Sequence, residues 1–425
     1  MEILDLYTIF LEHPSIQTDT RKLQPRDLFF ALKGPNFNGN KFARQALDAG
    51  AAFVVIDEVA GFDDNRLIST GDSLQTLQQL AKYHRQQFTI PFIAITGSNG
   101  KTTTKELIHE VLSTTYKTYT TKGNLNNHIG IPLTILSVQK DAEIAVIEMG
   151  ANHQKEIESY CAYTLPTHGI ITNCGKAHLE GFGGIEGVKK GKGELYDYLR
   201  ANDGTAFIMT DHAYLKERSK GISKIKTYGT QDAEITGIAS TSNEFLEVQM
   251  TKGTGLKNIT THLVGVYNLP NVLAAVAVGK YFNVAEEKIK NALEQYIPSN
   301  SRSQMIEKNG NKIILDAYNA NPSSMKAAIE NFAGMEGKNK ILLLGGMMEM
   351  GDESLVEHKA LIDLITKYTW EKVVLVGGDF NKITHPYLYF NNSTTAKEWL
   401  QLQHIENAML LVKGSRSMQM EKVLE

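Results

Sequence analysis

Phe92-Ile93-Ala94-Ile95-Thr96-Gly97-Ser98-Asn99-Gly100-Lys101-Thr102-Thr103 is the stretch from which the chain is best read. Phe92 to Ile95 is an apolar run of strand length, and beyond Lys101 the residues Leu107, Ile108, Val111 and Leu112 fall on one face of a helix. A strand, a glycine turn and a helix N-terminus in that order place backbone N–H groups and the helix dipole against phosphate. Lys101 then reaches the β/γ-phosphates, and the Thr102 hydroxyl stands where a P-loop coordinates Mg²⁺. Where the strict eight-residue pattern has Gly or a small residue the chain has Ile95, so this is a shortened GxxGK[ST] loop. Gly97, Ser98, Asn99, Gly100, Lys101, Thr102 and Thr103 are the nucleotide-binding candidates; the plain alternative is a glycine turn with a solvated lysine. A phosphate loop by itself says only that a nucleotide binds.

Outward from this loop the pattern predicts an α/β protein of three domains. Residues 1–88 hold two strand-like runs, Asp27 to Leu32 and Ala52 to Ile56, a helix-like stretch from Phe42 to Ala49, and a polar helix from Ser73 to Gln86. Pro91 follows, and proline ends helical geometry. Residues 89–297 alternate β-branched runs (Phe92 to Ile95, Ile144 to Ile147, Gly169 to Thr172) with helical patterns, which predicts a parallel sheet covered by helices. The helices Asn271 to Tyr281 and Glu286 to Tyr296 lead into Ile297-Pro298-Ser299-Asn300-Ser301, a linker. Residues 298–425 repeat the theme with apolar runs at Lys312 to Leu315, Lys340 to Leu344, Lys372 to Val376 and Met409 to Val412, the signature of buried parallel strands in a Rossmann-like domain.

Composition narrows the class. At 425 residues, 42% hydrophobic and 21% charged, the chain is long enough for several cores and is not of disordered type. A net charge of −3 gives no general attraction to nucleic acid or an anionic membrane, so small-molecule partners are expected. A monomer is expected as well. Cys161 and Cys174 form no zinc or disulfide spacing, and the acidic N-terminal stretch is unlike a signal peptide. A cytoplasmic protein is the expectation.

Three residues outside the loop stand out. Glu148 ends the apolar run Ile144 to Ile147, where a charge is tolerated if a cation compensates it or if the strand end reaches water. His178 follows the run Gly169 to Thr172 and can ligate a cation as a neutral imidazole or be a plain loop histidine. Lys192 lies among Lys189, Lys190 and Glu194, which on the residues alone reads as a charged, solvated helix surface.

TGSNGKTT at 96–103, GNLNNHIGIPLTIL at 123–136, EMGAN at 148–152, AHLEGFG at 177–183, KGE at 192–194, YNLPN at 267–271 and DAYNANP at 316–322 together resemble the Mur ligases in order and spacing. DAYNANP, LGGMMEMGDES at 344–354 and KGSR at 413–416 are similar to the stage of that family that adds D-alanyl-D-alanine to UDP-N-acetylmuramoyl-tripeptide. The resemblance implies ATP-dependent amide-bond formation through an acyl phosphate, in peptidoglycan precursor synthesis. It implies two Mg²⁺ ions held by Thr102, Glu148, His178 and a carbamylated Lys192, with Lys101, Lys192 and His178 as the catalytic set. Asn268, Arg302 and Asp316 are implied at the nucleotide. Thr20, Arg21, Asn126, Asn127, Tyr318, Asn319 and Asn321 are implied at the substrates, with residues 1–88 holding the UDP end and 298–425 the incoming dipeptide. Arg26 and Asn40 stand where the family has Gly and His. The alternatives are a muramoyl-dipeptide ligase, a folylpolyglutamate synthase, or a nucleotide-dependent binding protein without chemistry.

Overall fold

The fold is that of a computed structural model describing residues 1–240, 244–299 and 301–425; Asn300, in the expected second linker, lies outside them. The described residues form an α/β structure around a four-stranded, a nine-stranded and a six-stranded sheet. The chain divides into two compact units, Met1–Ala94 with Tyr116–Gly150 and Glu156–His168, and Ile95–Thr115 with Ala151–Lys155 and Gly169–Glu425.

The four-stranded sheet is parallel, in the order Ile16–Gln17, Leu28–Phe30, Phe53–Ile56 and Leu67–Ser69. Its strands are short but apolar, and Phe29, Val54 and Ile56 bury against Ala43, Ala46 and Leu47 of the helix Ala43–Asp48. The next helix, Ser73–Arg85, starts where Asp72 accepts the Gln75 amide at 2.8 Å, satisfying one of the N–H groups a helix start leaves open. At its other end the Arg85 guanidinium donates to the carbonyls of Thr164 and Leu165 at 3.0 and 3.1 Å, which stabilises the chain entering Phe92–Thr96.

The nine-stranded sheet corrects an expectation. Its order is Asn258–Thr260, Glu247–Lys252, Ile235–Ser240, Lys224–Gly229, Thr205–Met209, His168–Ile171, Phe92–Thr96, Ile144–Glu148 and Thr118–Thr120. Strands Thr205–Met209, Lys224–Gly229 and Ile235–Ser240 continue the parallel arrangement, but Ile235–Ser240, Glu247–Lys252 and Asn258–Thr260 pair antiparallel. The parallel sheet expected from the apolar runs is therefore extended by an antiparallel meander. Those strands are half-exposed and carry Thr, Gln, Glu and Lys, so they lack the continuous apolar run by which a doubly covered strand is recognised. Buried helices cover the sheet: Leu269–Tyr281 is buried from Val272 through Gly279, and its Ala and Val residues permit close approach.

The six-stranded sheet runs Gln304–Lys308, Asn311–Asp316, Met409–Lys413, Lys340–Gly345, Lys372–Val376 and Leu388–Phe390. All its pairs are parallel except Gln304–Lys308 with Asn311–Asp316, an antiparallel hairpin at the edge. Asp316 and Lys413 sit at the carboxyl ends of adjacent central strands, the place where such sheets present ligand groups. No helix of the described residues is long and apolar enough to cross a membrane. Cys161 and Cys174 are buried and not joined in a disulfide, and burial pushes the Cys174 thiol up to about 12.

Candidate active site

The strand Phe92–Thr96 delivers the chain into the phosphate loop, and the helix Lys101–Ser113 leaves it. Gly97 has φ +141°, and a Cβ there would lie 2.0 Å from Thr172 Oγ1; Gly100 has φ +80°, and its Cβ would lie 2.6 Å from Asn271 Oδ1. Both glycines are thus required by conformation and by space. The Lys101 ammonium donates to the carbonyls of Gly97 and Ser98 at 2.6 and 3.1 Å, which keeps the charge folded over the loop. Thr172 Oγ1 donates to Asn99 O at 2.6 Å, the Asn99 amide donates to Asn173 Oδ1 at 3.1 Å, and Ser98 Oγ donates to Gly175 O at 2.9 Å. The loop is therefore tied by hydrogen bonds to the segment from Thr172 to Gly175. Gly97→Ala is expected to destabilise the protein by roughly 1–3 kcal/mol through the strained φ and the clash. A thermal melt checks this, and an unchanged melting temperature would mean that the loop yields.

Asn321 reaches this loop from far along the sequence. Its Nδ2 donates to Asn99 Oδ1 at 2.7 Å while its Oδ1 caps the helix Pro322–Gly334 by accepting the Ser324 amide at 2.9 Å. Ser323 Oγ accepts the Lys176 amide at 2.9 Å, and the Lys176 ammonium meets Glu357 at 2.5 Å.

Lys192 corrects the solvated-surface reading. In the helix Ile185–Ala201 it is 1% exposed, because Val188, Lys192, Leu195 and Leu199 recur at i, i+4, i+7 and i+11 and form the buried stripe. That spacing was present in the sequence, hidden by the neighbouring lysines. Its Nζ donates to Ala151 O at 2.7 Å and lies 4.9 Å from the Phe182 ring centroid. Gly193 leaves room for Arg218, whose Nε would be 2.3 Å from a Cβ there, and Glu194 accepts the Lys155 amide at 2.6 Å.

Glu148 belongs to the other unit and is 1% exposed. Its Oε1 accepts from Asn126 Nδ2 at 2.7 Å, whereas Oε2 is buried with no hydrogen-bond partner. A buried carboxylate oxygen without a partner costs on the order of several kcal/mol. A divalent cation supplies what that oxygen lacks, so the residue fits the metal role implied for it. Asn126 thus holds Glu148, and Asn127 accepts the amides of Ile129 and Gly130, opening the helix Gly130–Leu136.

His178 is in the left-handed region at φ 52° and its Nδ1 pairs with Glu349 Oε2. The hydrogen bond to His178 holds the Glu349 carboxyl below the usual carboxylate range, and His153 adds to this through space. Among the described residues no cluster of three or more His, Cys, Asp or Glu side chains is assembled to hold a metal.

The side chains implied at the nucleotide are tied into the protein. Asn268, 3% exposed, donates to Val264 O at 2.9 Å and accepts from Asn271 Nδ2 at 2.8 Å. The Arg302 guanidinium lies 3.6 Å over the Tyr318 ring. Asp316 accepts the Ser303 amide at 3.2 Å and the Lys413 ammonium at 2.6 Å. Lys413, which opens the KGSR string and was not among the candidates, is 2% exposed and also donates to Asn319 O at 3.2 Å. Asn319 Oδ1 accepts the Ala320 amide at 2.9 Å. Near the N-terminus Thr20 is half-buried, and Arg21 is 85% exposed, forked onto Asp19 at 2.9 and 2.7 Å. Arg26 adopts φ +75°, a conformation that suits the glycine expected there, and Asn40 is held by Asp57 at 2.7 Å.

Comparison with known proteins bears on all three regions. Residues 14–85 match the family model of the Mur ligase family catalytic domain, 95–279 that of the Mur ligase middle domain, and 301–416 that of the Mur ligase glutamate ligase domain. The chain is 36% identical over 428 residues to a UDP-N-acetylmuramoyl-tripeptide–D-alanyl-D-alanine ligase of Bacillus subtilis, covering 96% of this chain and 92% of that protein. It is 35% identical over 422 residues to the Escherichia coli protein of the same name, with the same coverage. Among solved structures, MurF from Acinetobacter baumannii superposes with a TM-score of 0.88 at 30% identity, covering 96% of this chain and 92% of that one. MurF ligase from Thermotoga maritima in complex with ADP gives 0.87 at 25% identity, with 97% of each chain covered.

Proposed function

We infer, from the premise that the chain belongs to the Mur ligase family and has its three-domain architecture, that it joins D-alanyl-D-alanine to UDP-N-acetylmuramoyl-tripeptide at the expense of ATP. The observation that carries this reading is the full-length similarity to ligases of that one specificity, in a chain with a preformed phosphate loop. The proposed division of labour assigns the UDP-sugar to residues 1–88, ATP to 89–297 and the dipeptide to 298–425.

A free carboxylate is a poor acyl donor, since it carries negative charge and lacks a leaving group. In the proposed reaction the terminal carboxylate of the tripeptide attacks the γ-phosphate in line, and ADP leaves, giving an acyl phosphate. The amine of D-alanyl-D-alanine then attacks that carbonyl, loses its proton and expels inorganic phosphate. Gly97 to Thr103 hold the phosphate chain through backbone N–H groups and the helix dipole, and the Lys101 ammonium offsets charge between the β- and γ-phosphates. Magnesium, when bound, supplies further compensation for that charge. Thr102, Glu148, His178 and carbamylated Lys192 are proposed to hold it at two sites, with the unpartnered Glu148 Oε2 as support for the first. Asn126 orients Glu148 in this reading, and Asn127 shapes the helix start beside it. Asn268, Arg302 and Asp316 are proposed at the nucleotide; Thr20, Arg21, Tyr318, Asn319 and Asn321 at the two other substrates. The enzyme is proposed to act as a cytoplasmic monomer.

The test is phosphate release from ATP with UDP-N-acetylmuramoyl-tripeptide, with and without D-alanyl-D-alanine. Release that requires both, with a product of the summed mass less water, is expected. Equal release without the dipeptide would remove the proposed specificity, and parallel reactions with lysine- and diaminopimelate-containing tripeptides identify the third residue.

A further inference from the structure

The string LGGMMEMGDES takes no part in the chemistry above, yet the structure puts its carboxylate on a proposed metal ligand. After the strand Lys340–Gly345 the chain passes Gly346, where a Cβ would lie 2.5 Å from Gly378 Cα, and crosses to the segment carrying His178. There Glu349, at φ 61°, meets His178, at φ 52°. Two non-glycine residues in the left-handed region face each other, and such a pair persists only where the surroundings hold it. The Glu180 amide approaches Glu349 O at 3.4 Å, and a Cβ on Gly351 would lie 3.2 Å from Glu180 Cβ, so the chain around Glu349 packs closely against Glu180. The His178 side chain is 18% exposed and that of Glu349 53%.

The chemistry of the contact is directional. Glu349 Oε2 accepts at Nδ1, so Nδ1 carries a proton, and an imidazole in its neutral form then has its lone pair on Nε2. Nε2 makes no hydrogen bond among the described residues. A carboxylate on the far nitrogen is the usual arrangement behind a metal-binding histidine; it fixes the tautomer and ring angle and raises basicity.

We propose that Glu349 is a positioning residue for the metal site: residues 346–351 supply the carboxylate that orients His178, so that divalent-cation affinity depends on a loop of the C-terminal region. This rests on the proposed metal role of His178. It follows that Glu349 affects metal affinity only through His178, and that a neutral amide at 349, which still accepts from Nδ1–H, preserves part of the effect.

Mn²⁺ binding to the full chain saturated with ADP, followed by electron paramagnetic resonance of the free ion, tests this without turnover. Glu349→Ala is expected to weaken Mn²⁺ binding about tenfold, Glu349→Gln about threefold, and His178→Ala at least as much as Glu349→Ala. In a His178→Ala background Glu349→Ala should produce no additional weakening. Thermal melts of each variant identify loss of fold, and Glu349→Gln, isosteric and half-exposed, gives a folded comparison. Weakening by His178→Ala but not by Glu349→Ala overturns this proposal alone, as does an equal effect of Glu349→Ala with and without His178. No weakening by His178→Ala overturns it together with the metal role of His178.

Discussion

Replacing Lys101 by Ala is expected to abolish ligation, with a loss in kcat of at least about a thousandfold, or ~4 kcal/mol of transition-state stabilisation. Without this side chain the loop backbone loses two hydrogen bonds but keeps others, since Thr172, Asn173 and Gly175 hold Asn99 and Ser98. Nucleotide affinity should therefore survive in part while catalysis is lost. The ammonium donates to two loop carbonyls, 2.6 and 3.1 Å away, which places its charge over the loop. Lys101→Arg should rescue poorly, because a planar guanidinium does not fit the same point-charge position. Steady-state kinetics alongside ADP binding measure both effects. Ligation by Lys101→Ala within about tenfold of the parent, a loss of only ~1.4 kcal/mol, would rule out the role.

The second large effect is expected at Lys192. Lys192 is 1% exposed in a stripe with Val188, Leu195 and Leu199, and the proposed carbamate forms when its neutral amine reacts with CO₂. The reaction forms an N–C bond to CO₂ and releases one proton, leaving a carboxylate-bearing side chain able to ligate a cation. Lys192→Ala should lose activity by about a thousandfold, ~4 kcal/mol, and formate or acetate in the buffer should restore part of it by filling the vacated space with oxygen ligands. Lys192→Arg should not respond, since the guanidinium occupies the site and keeps its charge. Near-full activity of Lys192→Ala in CO₂-depleted buffer would sink the carbamate.

The phosphate loop was legible because every feature it needs is local: a strand, two glycines and GKTT lie within Phe92 to Thr103. Buried parallel strands such as Lys372–Val376 were legible for the same reason, their apolar runs being continuous. What escaped is non-local or masked. Asn99 and Asn321 are 222 residues apart, and Asp316 and Lys413 are 97 apart; no periodicity links them, and only packing brings them within 2.7 and 2.6 Å. Lys192 is the instructive case. Its helical stripe was in the sequence, but three flanking charges outweighed it, and burial depends on the surfaces that cover the stripe. The antiparallel strands Glu247–Lys252 and Asn258–Thr260 carry too little apolar character for a strand to be read at all.

The central claim, ligation through an acyl phosphate, is tested most directly by following oxygen. UDP-N-acetylmuramoyl-tripeptide carrying ¹⁸O in both oxygens of its reacting carboxylate is incubated with ATP, Mg²⁺ and D-alanyl-D-alanine, and phosphate and peptide product are weighed by mass spectrometry. In the proposed reaction one labelled oxygen leaves as part of inorganic phosphate and the other remains in the new amide carbonyl, with ADP as the sole adenine nucleotide formed. Unlabelled phosphate, AMP in place of ADP, or phosphate released with no peptide product would contradict the account.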